Sequence, residues 1–285
     1  MDHGTLERDP IPREPTPSAA NSPGVGTTKR GIEVRGLTKQ FDGAYLYRDF
    51  DLDLPEGEFV SIFGPNGCGK STLINMISGM APMDSGVVRY NGKPISTTKL
   101  SYVFQNYRDA LFPWMRAISN IQYPLKLLHL DKKSRDRRVE ALLAEFDVRI
   151  DLHRYPYELS GGQQQAISIL RALITDPEVL FLDEPFSALD YEMTLFMRER
   201  LQQVFMKRKN TMIFVSHDLE EAVQLSNHVL LLTRPPTRVA EIVPVVVPWP
   251  RDAKTLSNPD FVAVKSHCLD VFSREVSRGN ETSLP

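Results

Sequence analysis

The stretch Gly64-Pro65-Asn66-Gly67-Cys68-Gly69-Lys70-Ser71-Thr72 follows a short apolar run and precedes a helical pattern. It fits G-x-x-x-x-G-K-[ST] in the strand-to-helix context that this motif requires. Glycines let backbone N–H groups turn toward an anion, and the following helix directs its positive end at the same point. Lys70 adds a mobile charge for terminal phosphates, and Ser71 adds a hydroxyl for Mg²⁺. The stretch therefore predicts a site for nucleotide phosphates.

Two plainer interpretations compete with the phosphate site. The glycines can also serve a simple strand-to-helix turn that carries an exposed lysine. Cys68 stands at a variable position of the motif, where a small side chain in a tight loop is an alternative to a redox role. The flanking strand and helix favour the phosphate site, and the small side chain suffices to explain Cys68.

Four compact apolar runs indicate strands that are buried on both faces. They are residues 59–63, 179–182, 212–215 and 229–232. Helical patterns lie between them, and the one after Asp190 is amphipathic. This alternation predicts an α/β fold with a parallel sheet. Ordered sequence begins near Gly31, where Ile32, Val34 and Leu37 suit an edge strand.

The pattern changes between Gln105 and Ser160. Residues 120–130 and 134–146 look helical, which predicts an inserted helical subdomain at about 106–160. Its basic residues alternate with acidic ones and indicate a solvated helix face; they are Lys132, Lys133, Arg135, Arg137 and Arg138. Residues 234–285 contain a proline-rich strand-like segment and a short helix around 261–272, too little for a second domain.

Composition limits the possible partners and compartments. The chain has 285 residues, a formal net charge of -2 and two cysteines. That charge argues against a nucleic-acid partner, and two cysteines imply no disulfide framework. No apolar run is long enough for a transmembrane helix. Residues 1–30 are polar and proline-rich, lack the apolar core of a signal peptide, and are predicted to form a disordered tail.

Two adjacent carboxylates, Asp183 and Glu184, follow the apolar run at 179–182. The carboxyl edge of a parallel sheet is where ligands bind. Phosphate hydrolysis requires a positioned metal and an oriented water. We predict that Asp183 holds Mg²⁺ or its water and that Glu184 polarises the attacking water. The alternative is ordinary turn chemistry at a strand end before Pro185.

At Leu159-Ser160-Gly161-Gly162-Gln163 the chain resembles the ATP-binding-cassette (ABC) family, and the resemblance covers residues 31–233. It implies a P-loop ATPase domain with a RecA-like parallel core, an antiparallel β edge and the helical subdomain. Gln105 matches a glutamine that touches metal and water, His217 matches a switch histidine at the terminal phosphate, and Phe41 matches an aromatic that stacks on adenine. Taken singly, Phe41 and His217 also fit structural roles. Ala166 departs from the family, which usually has arginine there.

The resemblance assigns ATP and Mg²⁺ as the bound species and sorts the candidate residues by role. The catalytic set is Lys70, Gln105, Glu184 and His217; the metal set is Ser71, Gln105 and Asp183. The nucleotide set is Phe41, Gly64, Pro65, Asn66, Gly67, Cys68, Gly69, Lys70, Ser71, Thr72, Ser160, Gly161, Gly162, Gln163 and Asp190.

The signature at residues 159–163 makes physical sense as a second anion-binding helix end. One molecule cannot easily bring this end to its own phosphate loop. The resemblance therefore implies a head-to-tail dimer of identical or paired cassettes. In it, ATP lies between the Lys70 loop of one subunit and the Ser160 loop of the other. The loop at residues 187–190 crosses between the subunits.

Residues 106–115 are unusually apolar for a loop, with Leu111, Phe112, Pro113 and Trp114 together. Such a patch suits docking of a short helix of a membrane permease, against the alternative of a buried contact within the subdomain. The motif at 112–114 and the tail resemble the nitrate, sulfonate, taurine and bicarbonate importers. We therefore expect a peripheral subunit on the cytoplasmic face of the cell membrane, with an extracytoplasmic solute-binding protein in the system. An exporter subunit and a soluble cassette ATPase are the alternatives.

Overall fold

The chain is described here by a computed structural model, which covers residues 31–147, 150–187 and 189–281. The tail predicted at residues 1–30 lies outside the described residues, as does Ala188 of the loop at 187–190.

The strands of this part of the chain are β1 (Ile32–Phe41), β2 (Ala44–Leu54), β3 (Phe59–Phe63), β4 (Ser85–Tyr90), β5 (Lys93–Pro94), β6 (Leu100–Val103), β7 (Val179–Asp183), β8 (Thr211–Val215), β9 (His228–Leu232) and β10 (Val239–Pro244). The α-helices are α1 (Lys70–Ile77), α2 (Tyr107–Ala110), α3 (Ala117–Leu127), α4 (Lys132–Phe146), α5 (Gly161–Leu173), α6 (Tyr191–Arg208), α7 (Leu219–Leu225) and α8 (Pro259–Glu281).

These strands form two sheets. A six-stranded sheet has the order β10-β9-β3-β8-β7-β6, and a four-stranded sheet has the order β2-β1-β4-β5. In the larger sheet all pairs are parallel except β10 with β9, whereas the smaller sheet is antiparallel throughout. The predicted α/β fold is therefore confirmed, with its parallel core, antiparallel sheet and inserted helices. The four predicted buried strands are β3, β7, β8 and β9.

The larger sheet is buried on both faces, which explains its continuous apolar runs. Alternate residues of each strand point to opposite faces. Phe59, Leu180 and Phe214 pack with helices α3 to α6, while Ile62 and Phe181 pack with α1 and the antiparallel sheet. Every residue of β3, β7 and β8 is buried. The sheet therefore forms the shared wall of two hydrophobic cores.

The prediction that the first strand lies at a sheet edge was wrong. β1 pairs with β2 on one side and with β4 on the other, so it is an interior strand. Its buried and half-buried residues alternate because the antiparallel sheet packs against the core on one face. An interior strand of such a sheet shows the same alternation as an edge strand, so the pattern alone cannot separate them.

The helical insertion contains α2, α3 and α4 between β6 and α5. α3 and α4 each begin a few residues before the starts predicted at 120 and 134. Asp131 explains the start of α4, because its carboxylate accepts a hydrogen bond from the Ser134 backbone N at 3.0 Å and caps the helix. Apolar residues of α3 and α4, including Ile121 and Leu142, join the same core as α5.

The helix predicted at residues 261–272 is longer in the structure, where α8 extends from Pro259 to Glu281. Its first half packs through Phe261 and Cys268 against α7, β9 and β10. The apolar periodicity fades after Phe272, although Arg and Glu have good helix propensity and continue the helix. No helix within the described ranges is both long enough and apolar enough to cross a bilayer.

Arg251 ties the C-terminal segment to the core. Its side chain is almost fully buried and donates to five backbone carbonyls, among them those of Val223 at 2.8 Å and Val247 at 2.7 Å. Its guanidinium lies 4.2 Å from the ring of Trp249. Its backbone N–H and C=O both pair with the side-chain amide of Gln202 on α6. Burial lowers the pKa of Arg251 to about 10, so the side chain stays charged at neutral pH.

We predict that Arg251→Met lowers the free energy of unfolding by about 3 kcal/mol, because it leaves buried carbonyls without donors. Urea denaturation followed by circular dichroism measures the change. Arg234→Met, at an exposed arginine in the turn before β10, is the matched control and is expected to change stability by less than about 0.5 kcal/mol. Equal stability of the two variants would contradict the role given to Arg251.

Candidate functional site

The loop between β3 and α1 has the backbone that the phosphate motif requires. Gly69 has a φ of 92° just before the helix begins at Lys70. This φ favours glycine, and a Cβ atom at Gly69 would also lie 2.8 Å from Leu46 Cδ2, which would have to move. Lys70 is buried, and its Nζ donates to the carbonyl oxygens of Gly64 at 2.9 Å and Pro65 at 3.2 Å. The lysine charge therefore lies inside the loop.

Two residues outside the motif hold the loop from behind. Tyr47 on β2 donates its hydroxyl to the Gly69 carbonyl at 3.1 Å, and Thr237 donates to the Cys68 carbonyl at 2.8 Å. Because the Gly69 and Cys68 carbonyls are held by these two hydrogen bonds, the backbone conformation of the loop is stabilised. The Cys68 side chain is buried, and burial raises the pKa of its thiol, which disfavours the thiolate that redox chemistry needs. A small side chain in a tight loop is thus a sufficient account of Cys68.

Asp183 ends β7 directly beside the start of α1. Ser71 Oγ donates to Asp183 Oδ1 at 2.9 Å, and Tyr102 Oη donates to Asp183 Oδ2 at 3.3 Å. Burial raises the pKa of Asp183 above its usual value, and the charge of Glu184 acts in the same direction, although both hydrogen bonds lower it. A buried carboxylate held by two neutral hydroxyls would gain from a nearby cation.

The Glu184 side chain contacts two further candidate residues, Gln105 and His217. Gln105 Nε2 donates to Glu184 Oε2 at 3.0 Å, and His217 Nδ1 lies 3.2 Å from the same oxygen. Glu184 has a φ of 44°, a left-handed conformation that is uncommon for a residue with a side chain. Its backbone N–H donates to the Val215 carbonyl at 3.0 Å, which holds this conformation. Gln105 and His217, which are far from Glu184 in sequence, therefore contact the same oxygen of its carboxylate.

The common position of these residues follows from the parallel sheet. Four parts of the site lie at the carboxyl ends of strands: the phosphate loop after β3, Gln105 after β6, Asp183 at the end of β7 and His217 after β8. Parallel strands present these ends at one edge, where ligands bind in α/β proteins. The structure thus brings together the predicted phosphate, metal and water-positioning residues.

The signature residues lie at the start of a different helix. Ser160 caps α5: its Oγ accepts from Gln163 N at 3.3 Å, while Gln163 Oε1 accepts from Ser160 N at 3.1 Å. Across the described residues, the Ser160 side chain bonds to no residue except Gln163. The cap occupies the Gln163 N–H, so the N–H groups of the half-buried Gly161 and Gly162 are the donors that this helix end could offer to an anion.

Asp190 lies beside the signature, apart from the phosphate loop. It caps α6 by accepting from Met193 N at 2.8 Å. A Cβ atom at Gly162 would lie 2.9 Å from Met193 Cγ, so glycine permits close approach of α5 and α6. Ala166 lines a cavity of about 390 Å³ between these helices together with Gln163 and Asp190.

Phe41 ends β1 beside the turn into β2, with 53% of its surface exposed and Lys39 Nζ 5.4 Å from its ring centroid. It is therefore not a core residue, which removes the structural alternative. The same hairpin supplies Leu46 and Tyr47, which contact the phosphate loop. The ring is free to stack on a planar group near that loop.

The donor set fits Mg²⁺. Mg²⁺ prefers oxygen ligands, keeps several waters, and is commonly held by one or two protein groups plus phosphates. Ser71 and Asp183 offer a hydroxyl and a buried carboxylate 2.9 Å apart, and Gln105 uses its amide nitrogen for Glu184, which leaves its amide oxygen. No cluster of three or more His, Cys, Asp or Glu that suits a metal occurs in the described ranges, so transition-metal cages find no support there.

The apolar segment at residues 106–115 is only partly exposed. Leu111 is buried, and Phe112 packs against Tyr123 with 4.8 Å between ring centroids and under Arg171. Trp114 is 70% exposed and lies 5.6 Å from Phe112. The predicted apolar patch is therefore exposed at Pro113 and Trp114, while the alternative of a buried contact within the subdomain applies to Leu111.

Sequence reasoning missed the residues that support the site. Tyr47, Tyr102 and Thr237 each hold a motif residue through a hydroxyl, but they lie in other elements. Of these three residues, only Tyr102 lies close in sequence to a predicted site residue, three positions before Gln105. Arg198 on α6 was also missed; it pairs with Glu221, which accepts from Ser216 beside His217. These contacts join residues that no local motif connects.

Comparison with known proteins gives a consistent result. The family model described as "ABC transporter" matches residues 47–187. The aliphatic sulfonates import ATP-binding protein SsuB of Bacillus subtilis is 36% identical over 231 residues, covering 80% of this chain and 88% of SsuB. The spermidine/putrescine import ATP-binding protein PotA of Marinobacter nauticus is 41% identical over 206 residues, but this chain spans only 55% of that protein's length.

Solved structures agree with the sequence comparison. The dimeric structure of MJ0796, titled a bacterial ABC transporter cassette, superposes with a TM-score of 0.68 at 26% identity, covering 76% of this chain and 99% of that one. A second MJ0796 structure, a dimeric post-hydrolysis state bound to ADP and Pi, superposes with a TM-score of 0.67 over the same shares.

We predict that Lys70→Ala lowers the affinity for a nonhydrolysable ATP analogue by about tenfold to a hundredfold, because a charged hydrogen bond is worth about 1.5–3 kcal/mol. Isothermal titration calorimetry measures the affinity. Lys93→Ala, at an exposed lysine on β5, removes the same charge elsewhere and should leave the affinity unchanged. Equal affinity of Lys70→Ala and the wild type would refute the phosphate role of Lys70.

Proposed function

The chain belongs to the ABC transporter family of ATP-binding cassettes, which are ATPases, and we propose that it is the ATP-hydrolysing subunit of a membrane importer. The observation that carries the catalytic part is the shared oxygen of Glu184, which both Gln105 and His217 contact beside the phosphate loop. An acidic group held in this way is suited to polarise a water molecule.

In this proposal each residue at the sheet edge has one task. Lys70 turns from the carbonyls of its own loop to the terminal phosphates of ATP, which are stronger acceptors. Glu184 accepts a proton from the attacking water. Gln105 and His217 orient the Glu184 carboxylate, and His217 also contacts the terminal phosphate. Phe41 stacks on the adenine ring.

Ser71, Asp183 and Gln105 would hold Mg²⁺. When bound, Mg²⁺ neutralises charge that develops on the transferring phosphoryl group. The chain's own contribution is the fixed orientation of its ligands. Ser71 Oγ and Asp183 already face one another at 2.9 Å, so little reorganisation is needed.

We propose that two cassettes close head-to-tail on ATP. The helix end at Ser160, Gly161 and Gly162 supplies the second set of donors, from the other subunit. Asp190 lies next to that helix end, so it belongs to the same half of the interface. The two dimeric MJ0796 structures support dimer formation by this fold.

Import is favoured over export by the relatives SsuB and PotA, both of which are described as import ATP-binding proteins. The solute is proposed to be a small anion of the nitrate, sulfonate, taurine or bicarbonate type, supported by the 88% coverage of SsuB. A permease that docks near residues 106–115 and an extracytoplasmic binding protein complete the system. The chain then lies on the cytoplasmic face of the cell membrane.

Coupling of ATP hydrolysis to the permease would follow from the position of the docking segment next to the proposed catalytic residues. The segment at residues 106–115 directly follows Gln105, which touches Glu184. ATP closes the dimer and product release opens it, so the docked permease alternates between two states. A soluble cassette ATPase, the competing function, would need no exposed docking residue such as Trp114.

We predict that Glu184→Gln lowers kcat by a hundredfold or more, because the water loses its general base, while affinity for ATP stays near the wild-type value. Phosphate release measures kcat. Because ATP persists, a dimer should accumulate on a sizing column with Mg²⁺ and ATP.

Glu199→Gln is the matched control, since Glu199 is an exposed carboxylate on α6. It should turn over normally and remain monomeric after hydrolysis. Normal turnover by Glu184→Gln would show that the base lies elsewhere.

We also predict that Trp114→Ser weakens binding to the membrane permease by about thirtyfold, in the range expected for an exposed aromatic anchor. Co-purification of the permease in detergent measures the association. Val246→Ser, at a valine that is 77% exposed near β10, removes exposed apolar surface at a different site and should bind normally. Unchanged melting temperatures exclude misfolding, and undiminished co-purification would place the docking surface elsewhere.

A further inference from the structure

Tyr102 is a half-buried tyrosine whose hydroxyl donates a hydrogen bond and to which the functional motifs assign no role. It lies on β6, the strand that leads to Gln105, and its Oη donates to Asp183 Oδ2 at 3.3 Å. Asp183 Oδ1 is held by Ser71 Oγ at 2.9 Å. Each oxygen of this carboxylate therefore has one hydroxyl donor, and the two donors come from different elements, β6 and α1.

We propose that Tyr102 is a positioning residue for the metal site, fixing the orientation of the Asp183 carboxylate through a hydrogen bond from its hydroxyl. This inference rests on the metal site proposed above. A carboxylate can rotate about its last side-chain bond, since that torsion is broad. One donor at one oxygen leaves much of this rotation free. A second donor at the other oxygen restricts it.

The ring of Tyr102 is itself held in place. It packs against Phe104 with 4.7 Å between ring centroids, and it stacks on Phe181 of β7 at 6.1 Å with an interplanar angle of 23°. β6 and β7 are paired in parallel with Tyr102 opposite Phe181, two residues before Asp183. The hydroxyl is therefore fixed relative to Asp183 by strand pairing and by ring packing together.

A purely structural role for Tyr102 predicts different behaviour. A buried hydroxyl needs some partner, and Asp183 could simply be the nearest acceptor. In that case loss of the hydroxyl changes stability alone. A positioning role changes the affinity for metal, because partners behind a metal ligand typically contribute 10-fold to 100-fold to metal affinity.

The test separates metal-dependent from metal-independent nucleotide binding. ADP binding is measured by calorimetry with Mg²⁺ and, separately, with EDTA, for the wild type and Tyr102→Phe. This substitution keeps the ring and removes only the hydroxyl. We expect the affinity with EDTA to be unchanged, and the gain in affinity on adding Mg²⁺ to fall about tenfold.

Tyr90→Phe is the matched control. Tyr90 is a buried tyrosine whose hydroxyl pairs with Thr211 Oγ1 at 3.2 Å, away from Asp183. It should keep the full Mg²⁺ effect. Thermal melting of both variants detects any loss of folding.

The outcomes are distinct. If Mg²⁺ fails to strengthen ADP binding in the wild type, the proposed metal site itself is wrong. If Mg²⁺ strengthens binding equally in the wild type and Tyr102→Phe, the site stands and the role of Tyr102 is overturned. An equal loss in Tyr90→Phe would also overturn it, because the effect would then follow from any buried hydroxyl.

Discussion

Parallel pairing of β6, β7, β8 and β3 is the constraint on which the rest of this structure depends. In this register Val103 lies opposite Leu182, and Asp183 lies opposite Val215, so the strands end at one level. Residues that follow each strand then meet without long side chains or special loops. Gln105, Glu184 and His217, which are 79 and 33 positions apart in sequence, share one carboxylate oxygen for this reason. A shift of one pair of strands by one residue would separate them and also turn their side chains to the wrong face.

At that edge, two charged side chains, Lys70 and Asp183, are buried, and the hydrogen-bond partners of both are neutral groups. Lys70 is satisfied by two loop carbonyls, and Asp183 by two hydroxyls. Neutral dipoles compensate a buried charge less completely than an opposite charge does. The raised pKa of Asp183 reflects this incomplete compensation. Under the proposed function, a magnesium nucleotide would supply the opposite charge that each of the two groups lacks.

The C-terminal segment contributes to the same site from a distance. Thr237 donates a hydrogen bond to the Cys68 carbonyl. Further along the chain, Arg251 donates to carbonyls that precede β9 in the sequence and to one that follows β10. α8 then covers this region through Phe261 and Cys268. The segment after residue 233 is thus packed into the cassette, and its removal would delete the Thr237 hydrogen bond to the phosphate loop and expose apolar surface.

The sequence by itself determined the elements whose cause is local. Continuous apolar runs identified β3, β7, β8 and β9, and the glycine pattern before Lys70 identified a phosphate loop, because both depend on neighbouring residues. Tertiary structure decided the interior position of β1, the length of α8, the burial of Leu111, and the supporting contacts of Tyr47, Tyr102, Thr237 and Arg251. Those features depend on which strand pairs with which and on what packs against a given face, and such contacts join positions too far apart for any local pattern to connect.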